Sequence, residues 1–282
     1  MIRKRVLAVI ISCFLGVLSC SLCFGQTTLP VDLVVSMNTS SPGTALTSSI
    51  MTAGTVTDSC TLGVNCTWGA SPAAFTVGAN QPSCSNLGAV SLNNGGPTYA
   101  AGSLNYNSVG HNDADPNTNE ILGFRGSTAQ NISAAACITL GPPAQYSGND
   151  WDVLLIWDND GHYADLQVNS YCPARGEYGV RLESDVNGVT THSTCIPITP
   201  QTTYFFSLND NMVSGIGSLY VYTTQGTLVG STTVGVVTGY HLGSVSLGNN
   251  ENGKNAGTTT YFQNLMLNWT QGTNPLFWSD LP

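Results

Sequence analysis

The chain has 282 residues, with 7 Lys and Arg against 16 Asp and Glu, and only 8% of its residues are charged. So few basic side chains exclude binding to nucleic acid or to an anionic membrane surface, both of which rely on Lys and Arg meeting phosphate. So little charge of either sign also excludes an acidic disordered tail. Hydrophobic residues make up 41% of the chain, enough apolar material for one sizeable core or two small ones.

The first element is a leader. Arg3, Lys4 and Arg5 precede an apolar run from Val6 to about Phe24, and the chain turns polar at Gln26-Thr27-Thr28. A basic start, an apolar middle and small residues before a polar stretch predict a cleaved signal peptide over 1–25. Val17-Leu18-Ser19-Cys20 loosely resembles a bacterial lipobox, so a lipid on Cys20 is the alternative, although Leu18 fits that pattern poorly. Apart from that segment or lipid, no membrane association is expected. The expected location is secreted or extracellular, meaning the periplasm or cell surface in a bacterium. Without the leader, Arg125, Arg175, Arg181 and Lys254 face all sixteen acids, a net charge of about −12.

The nine cysteines divide between leader and mature chain. Cys13, Cys20 and Cys23 fall in the leader, whereas Cys60, Cys66, Cys84, Cys137, Cys172 and Cys195 follow it. An even number in an exported chain reads as a disulfide framework. Zinc is disfavoured because no close Cys pair is answered by a second Cys or His pair. The expected bridges are Cys172–Cys195, which flank consecutive predicted strands, Cys60–Cys66 around a short loop, and Cys84–Cys137.

Along the mature chain, short apolar or alternating runs are broken at close intervals by Gly, Asn, Asp and Pro, the pattern of an all-β protein. Val31 to Val35 opens the fold, and 36–148 reads as strands separated by long loops. One helix is expected, over 128–138, on the strength of Ala134-Ala135-Ala136. Trp151 to Trp157 is apolar on both faces and reads as a central strand, its two tryptophans in the core. Asn159-Asp160-Gly161 then makes a tight turn into a strand over 162–168. From Glu177 to Val186 the chain alternates, with Arg181, Glu183 and Asp185 on the face opposite Val180 and Leu182. Asn187-Gly188 is a second hairpin turn, leading into 189–196. Further strands are expected over 202–208, 219–223, 228–232, 241–247 and 259–269. No repeat or Pro-rich linker divides the chain, so one domain is expected over 29–270, followed by a C-terminal tail, 271–282.

Three segments carry a family resemblance. Thr203-Tyr204-Phe205-Phe206 is a strand before a hairpin. Leu219-Tyr220-Val221-Tyr222 followed by Gly226-Thr227-Leu228-Val229-Gly230 is that hairpin. Ser246-Leu247-Gly248-Asn249 with Tyr261-Phe262-Gln263-Asn264-Leu265 is a closing pair. Their order resembles the concanavalin A-like, laminin G-like jelly roll over less than half of the mature chain, with Thr223 or Thr224 where the family hairpin usually carries Asp. The resemblance implies a two-sheet antiparallel β-sandwich, often sugar-binding or adhesive, sometimes catalytic and sometimes calcium-dependent.

Glycosidases on that fold carry closely spaced carboxylates on one strand face, an acid and a base or nucleophile about 5–10 Å apart. The nearest match is Glu183-Ser184-Asp185, with no third carboxylate following. Beside Arg181 this pair reads as a solvated outer face with an ion pair of little energetic weight. No catalytic residue is assigned. Asp113, Asp115, Asn117 and Asn119 alternate oxygen ligands as in the first half of a calcium loop. Thr118 stands at the glycine position and Phe124 at the position of the bidentate Glu, so Glu120 completes a calcium site only by a different wrapping. Asp158, Asp160 and Asp165 form a weaker calcium set. Tyr163 and Tyr171 are the aromatic residues freest to stack on a sugar. Together these readings point to a non-catalytic carbohydrate-binding or adhesion module whose partner is a glycan or cell-surface polymer. A glycoside hydrolase or polysaccharide lyase on the same fold, and a structural surface protein without a small ligand, are the alternatives.

Overall fold

The computed structural model describes residues 33–35, 65–68, 75–78, 89–94, 118–125, 127–140, 151–169, 172, 178–249, 258–269 and 276, all within the unit Val31–Pro282. Every regular element among them is a strand. The first eight are β1 (Leu33–Val35), β2 (Asn65–Trp68), β3 (Phe75–Gly78), β4 (Ala89–Asn94), β5 (Thr118–Arg125), β6 (Asn131–Thr139), β7 (Trp151–Asp158) and β8 (Tyr163–Asn169). They are followed by β9 (Gly179–Val186), β10 (Val189–His192), β11 (Ile196–Pro197), β12 (Thr203–Asn211), β13 (Ile216–Thr223), β14 (Leu228–Gly235), β15 (Leu242–Asn249) and β16 (Thr258–Asn268).

These strands form two eight-stranded sheets. One runs β14-β13-β12-β6-β16-β4-β3, with β1 on β16; the other runs β10-β9-β8-β7-β15-β5-β2, with β11 on β9. Neighbours in both sheets pair antiparallel. The fold is thus an antiparallel β-sandwich. Alternation decides what lies between the sheets. From β12, Tyr204, Phe206 and Leu208 enter the core; from β6, Ile132, Ala134, Ala136 and Ile138; from β7, Leu154 and Ile156; from β9, Val180 and Leu182.

The helix expected over 128–138 is the strand β6. All nine of its residues are buried, because sheet one is covered on both faces. The face of β6 away from the main core carries Ala135 and Cys137, which pack with Phe205, Met266 and Leu276. A strand apolar on both faces shows no period-2 alternation, and its alanines are small enough to let Phe205 and Phe206 lie on either side of it while carrying high helix propensity.

The hairpin cues hold. Asn187 and Gly188 have φ of 56° and 75°, the left-handed pair that a two-residue hairpin with native twist requires, and Val186 pairs with Val189 across it. Cys172 and Cys195 are joined by a disulfide with Cα atoms 5.4 Å apart. Cys137 is disulfide-bonded as well. Cys60 and Cys84, the leader with Cys20, and Tyr171 lie outside the described residues, and of Cys66 only the backbone, in β2, is described.

Candidate functional site

The edges of the two sheets meet where β10 and β11 approach β14. Ser184 Oγ, on β9, donates to the Gly235 carbonyl at 2.6 Å and lies 2.9 Å from Thr191 Oγ1. Thr194 Oγ1 lies 2.9 Å from Thr232 Oγ1, a hydroxyl pair spanning the seam. Gly230 permits this approach, because a Cβ there would stand 2.9 Å from Ile196 Cγ2. Along the seam runs a groove of about 510 Å³, lined by Ser193, Thr194, Ser231, Thr232 and Thr233 together with Tyr220 and His192. Its volume falls in the range of roughly 300–1,000 Å³ that holds small-molecule ligands. The bend between β10 and β11 forms one wall and is fixed from both sides. Ser193 Oγ accepts the Leu182 N–H at 2.9 Å, and Cys195 is tied to Cys172.

His192 joins the groove to a polar cluster on the face of sheet two away from the core. Glu183 lies beneath it, 8% exposed, and three donors converge on its carboxylate. Tyr163 Oη donates to Oε1 at 2.9 Å, Gln167 Nε2 donates to Oε2 at 2.6 Å, and His192 Nε2 lies 2.6 Å from Oε2. Gln167 also donates to Asp152 Oδ1 at 3.3 Å and accepts from Arg181 Nε at 2.7 Å. Strand register explains the convergence, because Gln167 stands opposite Arg181, Asp165 opposite Glu183, and His192 opposite Glu183. Burial, followed by the nearby charges of Asp165 and Glu183, raises the Tyr163 phenol far above its ordinary range, so Tyr163 stays a donor to Glu183.

The sequence reading of this face as solvated is therefore corrected. Arg181, Glu183 and Asp185 do share a face, but Glu183 is buried and held by residues of β8 and β10 that chain proximity does not reveal. Tyr163 is partly buried, its ring tilted against Trp157 with centroids 5.0 Å apart and its hydroxyl committed to Glu183. Asp158 and Asp165 do not come together. Trp157 pairs with Tyr163, which puts Asp158 on the core face and Asp165 on the other. Asp158 accepts the backbone N–H groups of Asp160 and His162 and lies 2.8 Å from His162 Nδ1. Asp113, Asp115 and Asn117 lie outside the described residues, and Asn119 and Glu120 belong to the start of β5, where only the backbone is described. Among the described residues, no group of three His, Cys, Asp or Glu is arranged to hold a metal. The groove itself escaped the sequence reading. Its signal is two clusters of hydroxyl residues, Ser193-Thr194 in the bend after β10 and Ser231-Thr232-Thr233 on the edge strand β14.

No protein-family model matches the chain, and no curated protein matches it. Solved structures similar to it include the alginate lyase from Klebsiella pneumoniae, 11% identical, covering 50% of this chain and 61% of the lyase, TM-score 0.38. The carbohydrate-binding module CBM66 from Bacillus subtilis is 15% identical and covers 52% of this chain and 79% of the module, TM-score 0.34. The xylan β-1,4-xylosidase from Bacillus halodurans is 9% identical and covers 64% of this chain and 32% of that enzyme, TM-score 0.41. The chain thus spans less than two thirds of the lyase and about a third of the xylosidase. Binding modules and enzymes both occur among these structures, and no specific ligand or reaction carries over at such identities.

Proposed function

We propose that this is an exported, non-catalytic carbohydrate-binding protein that holds a glycan in the groove between β10–β11 and β14. The observation that carries this reading is the groove wall, which gathers five Ser and Thr residues from the β10–β11 bend and from β14 beside one tyrosine and one histidine. Sugar hydroxyls both donate and accept, and Ser, Thr and Tyr hydroxyls do the same. A wall of this kind offers many such exchanges, and the ring of Tyr220 adds an apolar surface for a sugar face. Export is supported by the basic-then-apolar N-terminus and the disulfide. A glycan array probed with the secreted protein tests the reading, together with Tyr220→Ala and Thr232→Val. Binding to a defined glycan that both substitutions weaken is the expected result. Failure to retain any glycan, or binding that both variants leave intact, rejects the groove. Release of reducing ends from the retained polysaccharide would reject the non-catalytic half.

A further inference from the structure

We infer that the groove selects uncharged sugar chains over acidic ones, with His192 as the specificity-determining acceptor; this rests on the glycan-binding reading of the same groove. The first reason is composition, since no Lys or Arg is among the described residues that line it. A uronate or sulfated sugar entering the groove gives up hydration of its charge and finds no cation among those residues in exchange, a cost that uncharged sugars escape. The second reason is the orientation of the histidine. His192 Nε2 lies 2.6 Å from the Glu183 carboxylate, which obliges that nitrogen to carry the proton. In the neutral form of the ring, Nδ1 is then left as an acceptor. That atom accepts from a sugar hydroxyl and has nothing to donate to a carboxylate or sulfate. The third reason is the charge behind it. Glu183 is held in place by Tyr163 and Gln167, so its negative charge cannot swing away to admit a second anion.

The test is calorimetric titration of the full secreted protein at pH 8. Neutral oligosaccharides (xylo-, cello- and manno-oligomers) are compared with oligogalacturonate and oligoalginate of equal length. At least one neutral series is expected to bind, with the acidic series weaker by about tenfold or more. His192→Phe keeps an aromatic ring without the acceptor, and should weaken neutral binding by about fivefold, the worth of one hydrogen bond. His192→Gln supplies both a donor for Glu183 and an acceptor for the sugar, and should restore most of that loss. Thr233→Lys adds a cation at an exposed groove position and should let acidic oligomers bind. Acidic oligomers bound as tightly as neutral ones, or a His192→Phe variant indistinguishable from wild type, would overturn the selectivity while leaving glycan binding in place. Failure of every oligomer to bind overturns both.

Discussion

His192 Nε2 lies 2.6 Å from Glu183 Oε2, joining an exposed edge strand to a buried carboxylate. Glu183 also receives Tyr163 and Gln167, so truncating it strands three polar groups, two of them on the buried β8. Leaving a buried donor unsatisfied costs about 1–3 kcal/mol. Glu183→Ala should therefore destabilise the protein by about 2–4 kcal/mol in guanidinium unfolding, and Glu183→Gln by less, because the amide oxygen keeps one acceptor. A change within about 0.5 kcal/mol, as for an ordinary surface substitution, would mean that the cluster carries no weight in folding.

Asp210 gives the fold a pH dependence. It follows Tyr204, Phe206 and Leu208 along the interior face of β12 and is 2% exposed. Its Oδ1 meets no hydrogen-bond partner among the described residues. Burial, helped by the charge of Asp158 on the facing sheet, raises its carboxyl from 3.8 to about 8. The folded protein then holds a proton that the unfolded chain releases near pH 4. The stabilisation from Asp210 is complete below about pH 4, declines as pH rises towards 8, and is gone above that. Within that interval each pH unit changes stability by about 1.4 kcal/mol. Asp210→Asn keeps the shape and removes the titration, so its stability relative to wild type should rise from pH 4.5 to pH 8. Parallel profiles for the two proteins would show that Asp210 does not titrate in this range.

The disulfide between Cys172 and Cys195 closes a segment with a sequence separation of 23. Loop-closure entropy assigns such a cross-link about 3 kcal/mol. Its position adds a second effect, because Cys195 directly follows Thr194 of the groove wall. Cys172→Ser with Cys195→Ser should lower the unfolding free energy by that amount and weaken glycan retention under conditions where the variant is still folded. Retention unchanged in a folded variant would show that Ser193 and Thr194 are held by the sheet alone.

The sequence made the second half of the sandwich legible for identifiable reasons. The turns at Asn159-Asp160-Gly161 and Asn187-Gly188 use residues that tolerate positive φ, and each is flanked by strands with their own pattern. Both sheets were hidden where they are covered on the outside as well as the inside. That covering erased the alternation of β6, and it made Glu183 read as a surface acid, because alternation reports which face a residue occupies and not what lies over that face. The groove was invisible for another reason. Thr194, in the bend between β10 and β11, and Thr232, on β14 of the other sheet, are 38 residues apart, and no local pattern records which edges a sandwich brings together.

Gly179 is where these constraints coincide. It begins β9, pairs with Pro197 of β11, and lies against the disulfide. A Cβ on it would stand 2.6 Å from the Cys172 carbonyl oxygen, 2.9 Å from the Ile196 carbonyl oxygen and 3.2 Å from Cys172 Sγ. Two of those atoms are backbone, so the clash is relieved only by moving β11 away from β9 or displacing the cross-linked segment. Overpacking of this kind costs about 1–3 kcal/mol. Gly179→Ala should therefore destabilise the fold by about that much and weaken glycan retention, because β11 leads directly from the groove wall. Gly235→Ala, on the groove's other side, meets nothing within 4 Å and should change neither stability nor retention. Equal behaviour of the two variants in thermal unfolding would show that the close packing at Gly179 does not hold in solution.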